Sequence, residues 1–310
     1  MKIYILDPIS EDAIAYLASR HTVIRPDDPA AANWPEDADA IINRTRPTTA
    51  EQINAAKCLK IIAKHGIGVD HIDLDAAKAR GIPVTNTPGT NARAVAELTV
   101  MMVIAAARSA TAAERALRQG TAGEPFHWRG AEITGKRVGL VGLGNIGRAV
   151  TPMFRLGFGC TVAAVDPYLE DTVFETHGVT RYASVADMLP EVDILSLHCP
   201  LTPETRHLID AAALAAMPPG AILVNTARGG IVHDDALADA LENGPLAAAA
   251  LDVFEREPVD PGHRLLTLPN LVATPHIGGH SHESGDRSGM AVAEIVLEVL
   301  DGKPPRNRMA

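Results

Sequence analysis

KRVGLVGLGNIGRAVTPMFRLGFGCTVAAVD, residues 136–166, is the stretch of sequence that decides the fold. The apolar run at 138–141 is long enough for a short buried strand. The segment 145–156 is typical of a helix, and a second apolar run at 161–165 predicts the next strand. Strand, helix and strand in this order form the unit from which parallel sheets with helices on their faces are built.

The turn between the first strand and the helix is rich in glycine. Gly142, Gly144 and Gly147 have the G-x-G-x-x-G spacing that permits a tight turn, close approach of a pyrophosphate and helix–strand contact. The helix N-terminus offers free N–H groups to phosphates. Asp166, at the end of the second strand, can accept hydrogen bonds from ribose hydroxyls. Because no arginine stands nearby to bind a 2′-phosphate, the stretch predicts NAD rather than NADP.

Length and composition exclude several classes of protein. The chain has 310 residues, enough for two ordinary domains, and a formal net charge of −10. Without a basic block, we expect neither nucleic acid nor an anionic membrane as a partner. Its three cysteines lack C-x-x-C spacing, so neither a disulfide framework nor a zinc site is expected. No apolar run is long enough for a membrane span or a signal peptide, so we expect a soluble cytoplasmic protein.

The N-terminal third alternates strands and helices as a parallel sheet does. It contains predicted strands at 2–6, 40–43, 60–63 and 82–85, and helices at 11–19, 49–57 and 74–79. An alanine-rich segment at 91–118 predicts one long linking helix. Next, 119–129 carries Phe126 and Trp128, which either pack on that helix or form an arm against a second subunit.

From residue 136 the alternation resumes and predicts a second doubly wound sheet. Its predicted strands are 137–141, 161–165, 193–197, 221–225, 247–251 and 271–274, and its helices 145–156, 184–189, 210–216 and 234–242. A last helix at 284–300 is expected to return to the first domain. We therefore predict domains at 1–98 plus 284–310 and at 99–283, with residues 304–310 frayed.

Three side chains at predicted strand ends meet one chemical need. Arg228 in ILVNTARGG can bind a carboxylate with two parallel hydrogen bonds. His276 in ATPHIGG can exchange a proton near neutral pH. Glu257 in ALDVFEREP would favour the imidazolium form of His276 and keep it able to donate. Hydride transfer to a 2-oxo acid requires such a carboxylate anchor and proton donor, so the three together indicate a dehydrogenase.

Two neighbouring segments invite other interpretations. HIGGHSH adds His280 and His282 to His276, but the spacing and the glycines do not suit a zinc site, so no metal is predicted. HCPLTPETRHLI at 198–209 forms a rigid turn fit to cover a cofactor, through His198, Cys199, Pro200 and Thr205. Cys199 could be a nucleophile, but a loop contact is the better interpretation because no base is demonstrably near.

These motifs resemble, over essentially the whole chain, the D-isomer-specific 2-hydroxyacid dehydrogenases. The matching stretches are KHGIGVDHID, NTPGTNARAVAEL, GLVGLGNIGRAV, HCPLTPETRHLI, VNTARGGIV, ALDVFEREP and TPHIGG. The resemblance implies an α/β protein of two Rossmann-like doubly wound parallel-sheet domains with a cleft between them. It also implies NAD(H) as cofactor, a small 2-hydroxy or 2-oxo acid as substrate, and a homodimer built through the NAD-binding domain.

The resemblance also assigns roles by position. Arg228 matches the substrate-carboxylate arginine, His276 the acid/base and Glu257 its carboxylate partner. The backbone at Ile67, Gly68 and Val69 matches a loop that helps to hold the substrate carboxylate. Besides Arg228, His276 and the glycines of the turn, the implied cofactor contacts are Asn145, Ile146, Asp166, Cys199, Thr226, Ala227, Asp252, Gly278 and Gly279.

Substrate identity is less determined. Glu257 argues against formate dehydrogenases, which carry glutamine there, whereas phosphite dehydrogenases pass this test. The chain overall most resembles the branch of short-form phosphoglycerate dehydrogenases and hydroxypyruvate reductases. Arg44 and Lys64 fall where phosphoglycerate dehydrogenases place arginines that meet a substrate phosphate. Lys64 in place of arginine, with His65 and Ile67, departs from the pattern. Glycerate, glyoxylate or sulfolactate-like substrates therefore stay open, as does a non-catalytic NADH-sensing corepressor.

Overall fold

The computed structural model describes all 310 residues. The strands are β1 Lys2–Ile5, β2 Thr22–Ile24, β3 Ala40–Asn43, β4 Ile61–Lys64, β5 Val84–Thr85, β6 Arg137–Val141, β7 Thr161–Val165, β8 Thr180–Arg181, β9 Ile194–Leu197, β10 Ala221–Asn225, β11 Leu246–Leu251 and β12 Leu271–Ala273. The α-helices are α1 Glu11–Ala18, α2 Trp34–Asp37, α3 Ala50–Ala55, α4 Leu74–Ala79, α5 Ala92–Ala107, α6 Ala110–Gln119, α7 Asn145–Pro152, α8 Asp171–His177, α9 Val185–Met188, α10 Ala211–Ala215, α11 Asp234–Asn243, α12 Arg264–Thr267 and α13 His282–Leu300.

The chain forms two compact units, one of Met1–Asn91 with Gly279–Ala310 and the other of Ala92–Gly278. Each is built on a sheet of parallel strands with helices, which confirms the predicted fold class. No single helix is long and apolar enough to cross a membrane; α5 and α6 reach that threshold only together, as a pair bent by 63°.

The first unit has a five-stranded sheet in the order β2-β1-β3-β4-β5. Side chains alternate between its faces, as the pleat of a strand requires. Ile3, Ile5 and Ile42 pack with residues of α1 and α13, whereas Tyr4 and Ile41 pack on the opposite face with Trp34 and Ile53. Helix α3 begins directly after Thr49, which forms a capping box with Gln52.

The prediction that residues 304–310 are frayed is wrong for the end of this segment. Met309 N donates to Val84 O at 2.7 Å, and Arg308 lies opposite Thr85 in an antiparallel bridge. β5 is the edge strand of its sheet, and an edge presents main-chain groups that need partners. Residues 307–310 supply those partners.

The second unit has a seven-stranded sheet in the order β12-β11-β10-β9-β6-β7-β8. Its strand order reverses beside β6, between β9 and β7, and open α/β sheets bind ligands at such a switch point. The helix predicted at 145–156 ends as α7 at Pro152 and continues as one π turn at Met153–Gly157, since proline has no N–H to donate.

The prediction of a single long helix at 91–118 is also wrong, because α5 and α6 are separate helices. Ser109 has a left-handed backbone with φ of 49° and interrupts the helical geometry. Gly130 packs against the end of α5, where a Cβ would lie 2.5 Å from Ala107 O, and Ala131 N donates to that carbonyl at 2.8 Å. A contact between distant residues therefore ends a helix that composition alone would continue.

Candidate active site

The glycine turn after β6 is crowded on one side and open on the other. A Cβ on Gly142, whose φ is +96°, would lie 3.0 Å from the backbone of His198 and Cys199. A Cβ on Gly147 would lie 2.4 Å from Gly142 O, so both positions require glycine. Nothing lies within 4 Å of a Cβ on Gly144, the N-cap of α7. The open side therefore leaves the first N–H groups of α7 accessible to a phosphate.

Asp166 lies at the end of β7, next to this turn. Its Oδ2 accepts from Leu143 N at 2.9 Å and its Oδ1 from Tyr168 N at 3.1 Å. These bonds fix the carboxylate beside the turn, where it can still accept from ribose hydroxyls. Asn145 is oriented by Arg148, whose guanidinium donates to its side-chain oxygen at 3.2 Å. Turn, helix N-terminus and carboxylate together fit a dinucleotide.

The loop after β9 is braced by its own polar groups. Thr205 Oγ1 donates to Pro200 O at 2.7 Å and accepts from Thr202 N at 2.7 Å. Burial lowers the pKa of His198 to about 4, so its imidazole is neutral, and its buried Nδ1 has no partner within the chain. Burial raises the pKa of Cys199 to about 11. Because its thiol stays protonated, Cys199 is unsuited to nucleophilic attack.

A side chain that the sequence analysis did not single out shapes the Arg228 loop. Asn225, at the end of β10, donates from Nδ2 to Arg228 O at 2.8 Å and accepts from Ala227 N at 3.0 Å. Arg228 itself donates from Nη1 to Ala227 O at 2.7 Å. Thr226 meets Thr99 of α5 through their hydroxyls at 2.9 Å. The sequence signal for this role was an asparagine at the end of a predicted strand, directly before TARGG.

Glu257 and His276 form the predicted pair. His276 Nδ1 lies 2.7 Å from Glu257 Oε2, and Glu257 Oε1 accepts from Phe254 N at 3.0 Å. Burial raises the pKa of Glu257, but the hydrogen bonds from His276 and the Phe254 N–H outweigh burial and lower it below its ordinary value, with help from the charge of Arg228. An ionised Glu257 accepts from Nδ1–H, which leaves Nε2 of His276 for proton exchange.

The loop that carries His276 is organised by Asp252, for which the sequence implied only a cofactor contact. Asp252 is almost fully buried and accepts from Thr274 Oγ1 at 2.5 Å, Ile277 N at 2.8 Å and Gly278 N at 2.8 Å. His276 N donates to Asp252 O at 2.7 Å, and His276 has a left-handed φ of 56°. The buried carboxylate therefore holds the turn that presents the imidazole.

The Arg228 loop also touches the loop of Glu257. A Cβ on Gly229 would lie 1.8 Å from Phe254 O, so the two backbones are in direct contact. The second unit therefore brings Arg228, Glu257 and His276 onto loops that brace one another. The structure contains no group of three or more His, Cys, Asp or Glu side chains suited to a metal ion.

In the first unit, the Ile67–Val69 loop follows β4 and begins after Gly66, whose φ of +119° suits only glycine. Lys64, at the end of β4, is buried, and its ammonium donates to the carbonyls of Arg44 and His65. Burial and the charge of Arg44 lower the pKa of His65 to about 4, and its Nε2 lies 3.3 Å from Gly285 O. His65 is therefore a neutral, buried side chain.

Arg44 is held by its backbone. The buried carboxylate of Asp7 accepts from Arg44 N at 2.8 Å and from Thr45 N at 3.0 Å. Burial raises the pKa of Asp7, but these bonds and that of the Thr45 hydroxyl lower it below its ordinary value. The ionised Asp7 therefore fixes the loop after β3 on which Arg44 stands.

Comparison with known proteins identifies the family. The profile described as D-isomer specific 2-hydroxyacid dehydrogenase, NAD binding domain, matches residues 100–278. The chain belongs to this family. The match covers nearly all of the second unit, so the glycine turn, Asp166 and the His198 loop lie in the family's NAD-binding domain, and the predicted cofactor, NAD, is confirmed.

Relatives of this dehydrogenase family cover the whole chain. A D-3-phosphoglycerate dehydrogenase of Methanocaldococcus jannaschii is 39% identical over 99% of this chain, which spans 59% of that relative. A hydroxypyruvate reductase of Thermotoga maritima is 38% identical over 96% of this chain and 98% of its own length. The crystal structure of the TT0316 protein from Thermus thermophilus has a TM-score of 0.89, with 38% identity and full coverage of both chains. The chain thus spans about three-fifths of the length of the phosphoglycerate dehydrogenases it matches.

Proposed function

We propose that this protein is an NAD-dependent dehydrogenase that interconverts a small D-2-hydroxy acid and its 2-oxo acid. The 2.7 Å pair of His276 and Glu257, on loops braced against that of Arg228, carries the proposal. When bound, the cofactor supplies or accepts the hydride. Arg228 binds the substrate carboxylate through its planar guanidinium and polarises the ketone. The Ile67–Val69 backbone provides further N–H donors to the carboxylate.

His276 acts as the acid and base in this mechanism. Its Nδ1–H is committed to Glu257, so the transferable proton is carried by Nε2. During reduction Nε2 donates to the oxygen that becomes the hydroxyl, and during oxidation it accepts that proton. Glu257 stabilises the imidazolium in both directions. Asp252 holds the His276 turn so that the proton is delivered from a fixed position.

We propose 3-phosphohydroxypyruvate and D-3-phosphoglycerate as the first substrate pair to test. Support comes from Arg44, on the loop fixed by Asp7, and from the buried ammonium of Lys64 at the base of the Ile67–Val69 loop. A Cβ on Gly66 would lie 3.7 Å from Lys64 Nζ, so positive charge stands directly beside this loop. The T. maritima relative named hydroxypyruvate reductase makes hydroxypyruvate the alternative.

The test follows NADH absorbance with a panel of 2-oxo acids. The panel contains phosphohydroxypyruvate, hydroxypyruvate, glyoxylate, pyruvate and sulfopyruvate. If the phosphate is bound, Arg44→Ala raises KM for phosphohydroxypyruvate but not for hydroxypyruvate. Equal kcat/KM for both acids in wild type would contradict the phosphate assignment, and no turnover of any acid would contradict the enzymatic proposal.

We also propose that the protein works in the cytoplasm as a homodimer built through the second unit. Helix α6 buries none of its residues, and large apolar side chains are exposed on α5, α6 and the following turn, namely Met101, Ile104, Leu117 and Phe126. Apolar side chains exposed on successive elements are the kind of surface that a second subunit can cover. Light scattering should give a mass twice that of one chain. In the double variant Leu117→Glu, Phe126→Glu, the mass should fall to that of a single chain.

A further inference from the structure

Residues 307–310 do more than cover the edge of the five-stranded sheet. Besides the bond of Met309 to Val84, Val84 N donates to Ala310 O at 3.3 Å. Asn86, just beyond β5, donates from its backbone N to Asn307 O at 3.3 Å. Asn307 returns a bond from its Nδ2 to Asn86 O at 3.4 Å. The segment is therefore tied to the residue that follows the edge strand.

Asn86 connects this segment to the Ile67–Val69 loop. Asn86 is 5% exposed, and its side chain donates from Nδ2 to Ile67 O at 3.0 Å. Loss of such a partner costs more free energy for a buried amide than for an exposed one, because water cannot replace the hydrogen bond. The bond therefore fixes the Ile67 carbonyl, and with it the direction of the following Gly68 N–H.

Thr87 holds Gly66, the residue immediately before this loop. Its hydroxyl accepts from Gly66 N at 2.9 Å, and its N donates to Gly66 O at 2.9 Å. Thr90 donates from its hydroxyl to Thr87 O and lies 2.7 Å from the hydroxyl of Ser288 on α13. Two successive residues therefore hold the start of the loop. Thr87 is linked to α13 by Thr90, and Asn86 is hydrogen-bonded to residues 307–310.

We propose that Asn86 and the 307–310 segment are positioning elements that hold the Ile67–Val69 loop in its substrate-binding conformation. The inference rests on the proposed function, in which that loop binds the substrate carboxylate. Neither Asn86 nor residues 307–310 belong to the catalytic or cofactor-binding sets. Loosening them therefore weakens oxo-acid binding and leaves cofactor binding intact.

Two variants of the 310-residue chain test the link, one at Asn86 and one at residues 307–310. Asn86→Ala removes the donor to Ile67 O. Met309→Pro removes the N–H that binds Val84 O, because proline has no amide hydrogen. Asn54→Ala, an exposed asparagine on α3, is the matched control. For each we would measure KM and kcat with the best 2-oxo acid, the Kd of NADH by fluorescence, and amide hydrogen exchange.

For Asn86→Ala we expect KM to rise about tenfold, as for the loss of one buried hydrogen bond, with the Kd of NADH unchanged within about twofold. Exchange should accelerate at Ile67–Val69 in both variants and remain at wild-type rates in β1 and β3. The proposal would be overturned if both variants kept the KM and the loop exchange rates of the wild type. It would also be overturned if amide exchange accelerated evenly across the first unit. If wild type reduces no 2-oxo acid, the proposed function fails, while loop exchange still decides whether Asn86 positions the loop.

Discussion

Replacing Asp252 with Asn should damage turnover far more than binding of the cofactor. The change is isosteric, yet the amide has only one acceptor oxygen, whereas the carboxylate serves three donors with two oxygens. Wherever the amide nitrogen points, it faces a donor from Thr274, Ile277 or Gly278. At least one buried N–H or hydroxyl then loses its acceptor.

The magnitude follows from the burial of Asp252, which is 1% exposed. An unpaired buried polar group costs about 1–3 kcal/mol, and a protein of this size loses roughly 2–4 °C in Tm per kcal/mol. We therefore expect Tm to fall by about 2–12 °C. A loop shift of about 1 Å misplaces the His276 imidazole, and such a shift can lower kcat about a hundredfold.

The assays are calorimetric unfolding and steady-state oxidation of NADH, with fluorescence titration for the Kd of NADH. Asp239→Asn serves as the control, because Asp239 pairs with Arg264 on the exposed surface. Its kcat and Tm should match the wild type. An Asp252→Asn protein with the Tm and kcat of the wild type would refute the assignment of Asp252 as the organiser of the His276 turn.

Three further predictions concern other contacts. Gly229→Ala places a Cβ 1.8 Å from Phe254 O, so we expect the Arg228 and Glu257 loops to separate and kcat/KM to fall at least about a hundredfold; wild-type kinetics would contradict the close approach. Because its pKa is lowered in the folded state, Glu257 stabilises the fold above the ordinary carboxyl range and loses this effect as the pH falls through the folded pKa. The stability of wild type relative to Glu257→Gln, measured by urea unfolding, should therefore shrink toward acid pH rather than stay constant. The pKa of His65 is lowered from 6.5 to about 4 in the folded state, so its protonation favours the unfolded chain as the pH falls through this range. We expect His65 to lower the free energy of unfolding of the wild type by about 3 kcal/mol between pH 6.5 and about pH 4. Urea unfolding across this range should show that His65→Gln lacks this loss.

The parts of the fold and site that local pattern determines could be predicted. The glycine spacing and the two apolar runs around it define β6, α7 and β7 because each is stabilised by residues close in sequence. The pairing of Glu257 with His276 followed from chemistry, since an acid/base histidine needs a carboxylate to orient it. The structure places these two side chains within hydrogen-bonding distance.

What could not be predicted depends on contacts between residues far apart in the chain. The break between α5 and α6 arises where Gly130 packs on Ala107, and alanine-rich sequence gives no sign of it. The pairing of Met309 with Val84 joins a short polar segment to an edge strand. Asp252 was recognised by position only, because the number of donors that a buried carboxylate accepts is a property of the folded turn.

The division of the chain has a consequence for synthesis. The first unit contains residues from both ends of the sequence, and one face of its sheet packs against Val292, Val296 and Leu300 of α13. While the ribosome translates residues 92–278, Ile3 and Ile5 therefore lack the helix that covers them. We expect the second unit to fold first, with the N-terminal strands exposed to chaperones until α13 emerges. A chain truncated after residue 280 should therefore have a protected second unit and a first unit open to protease.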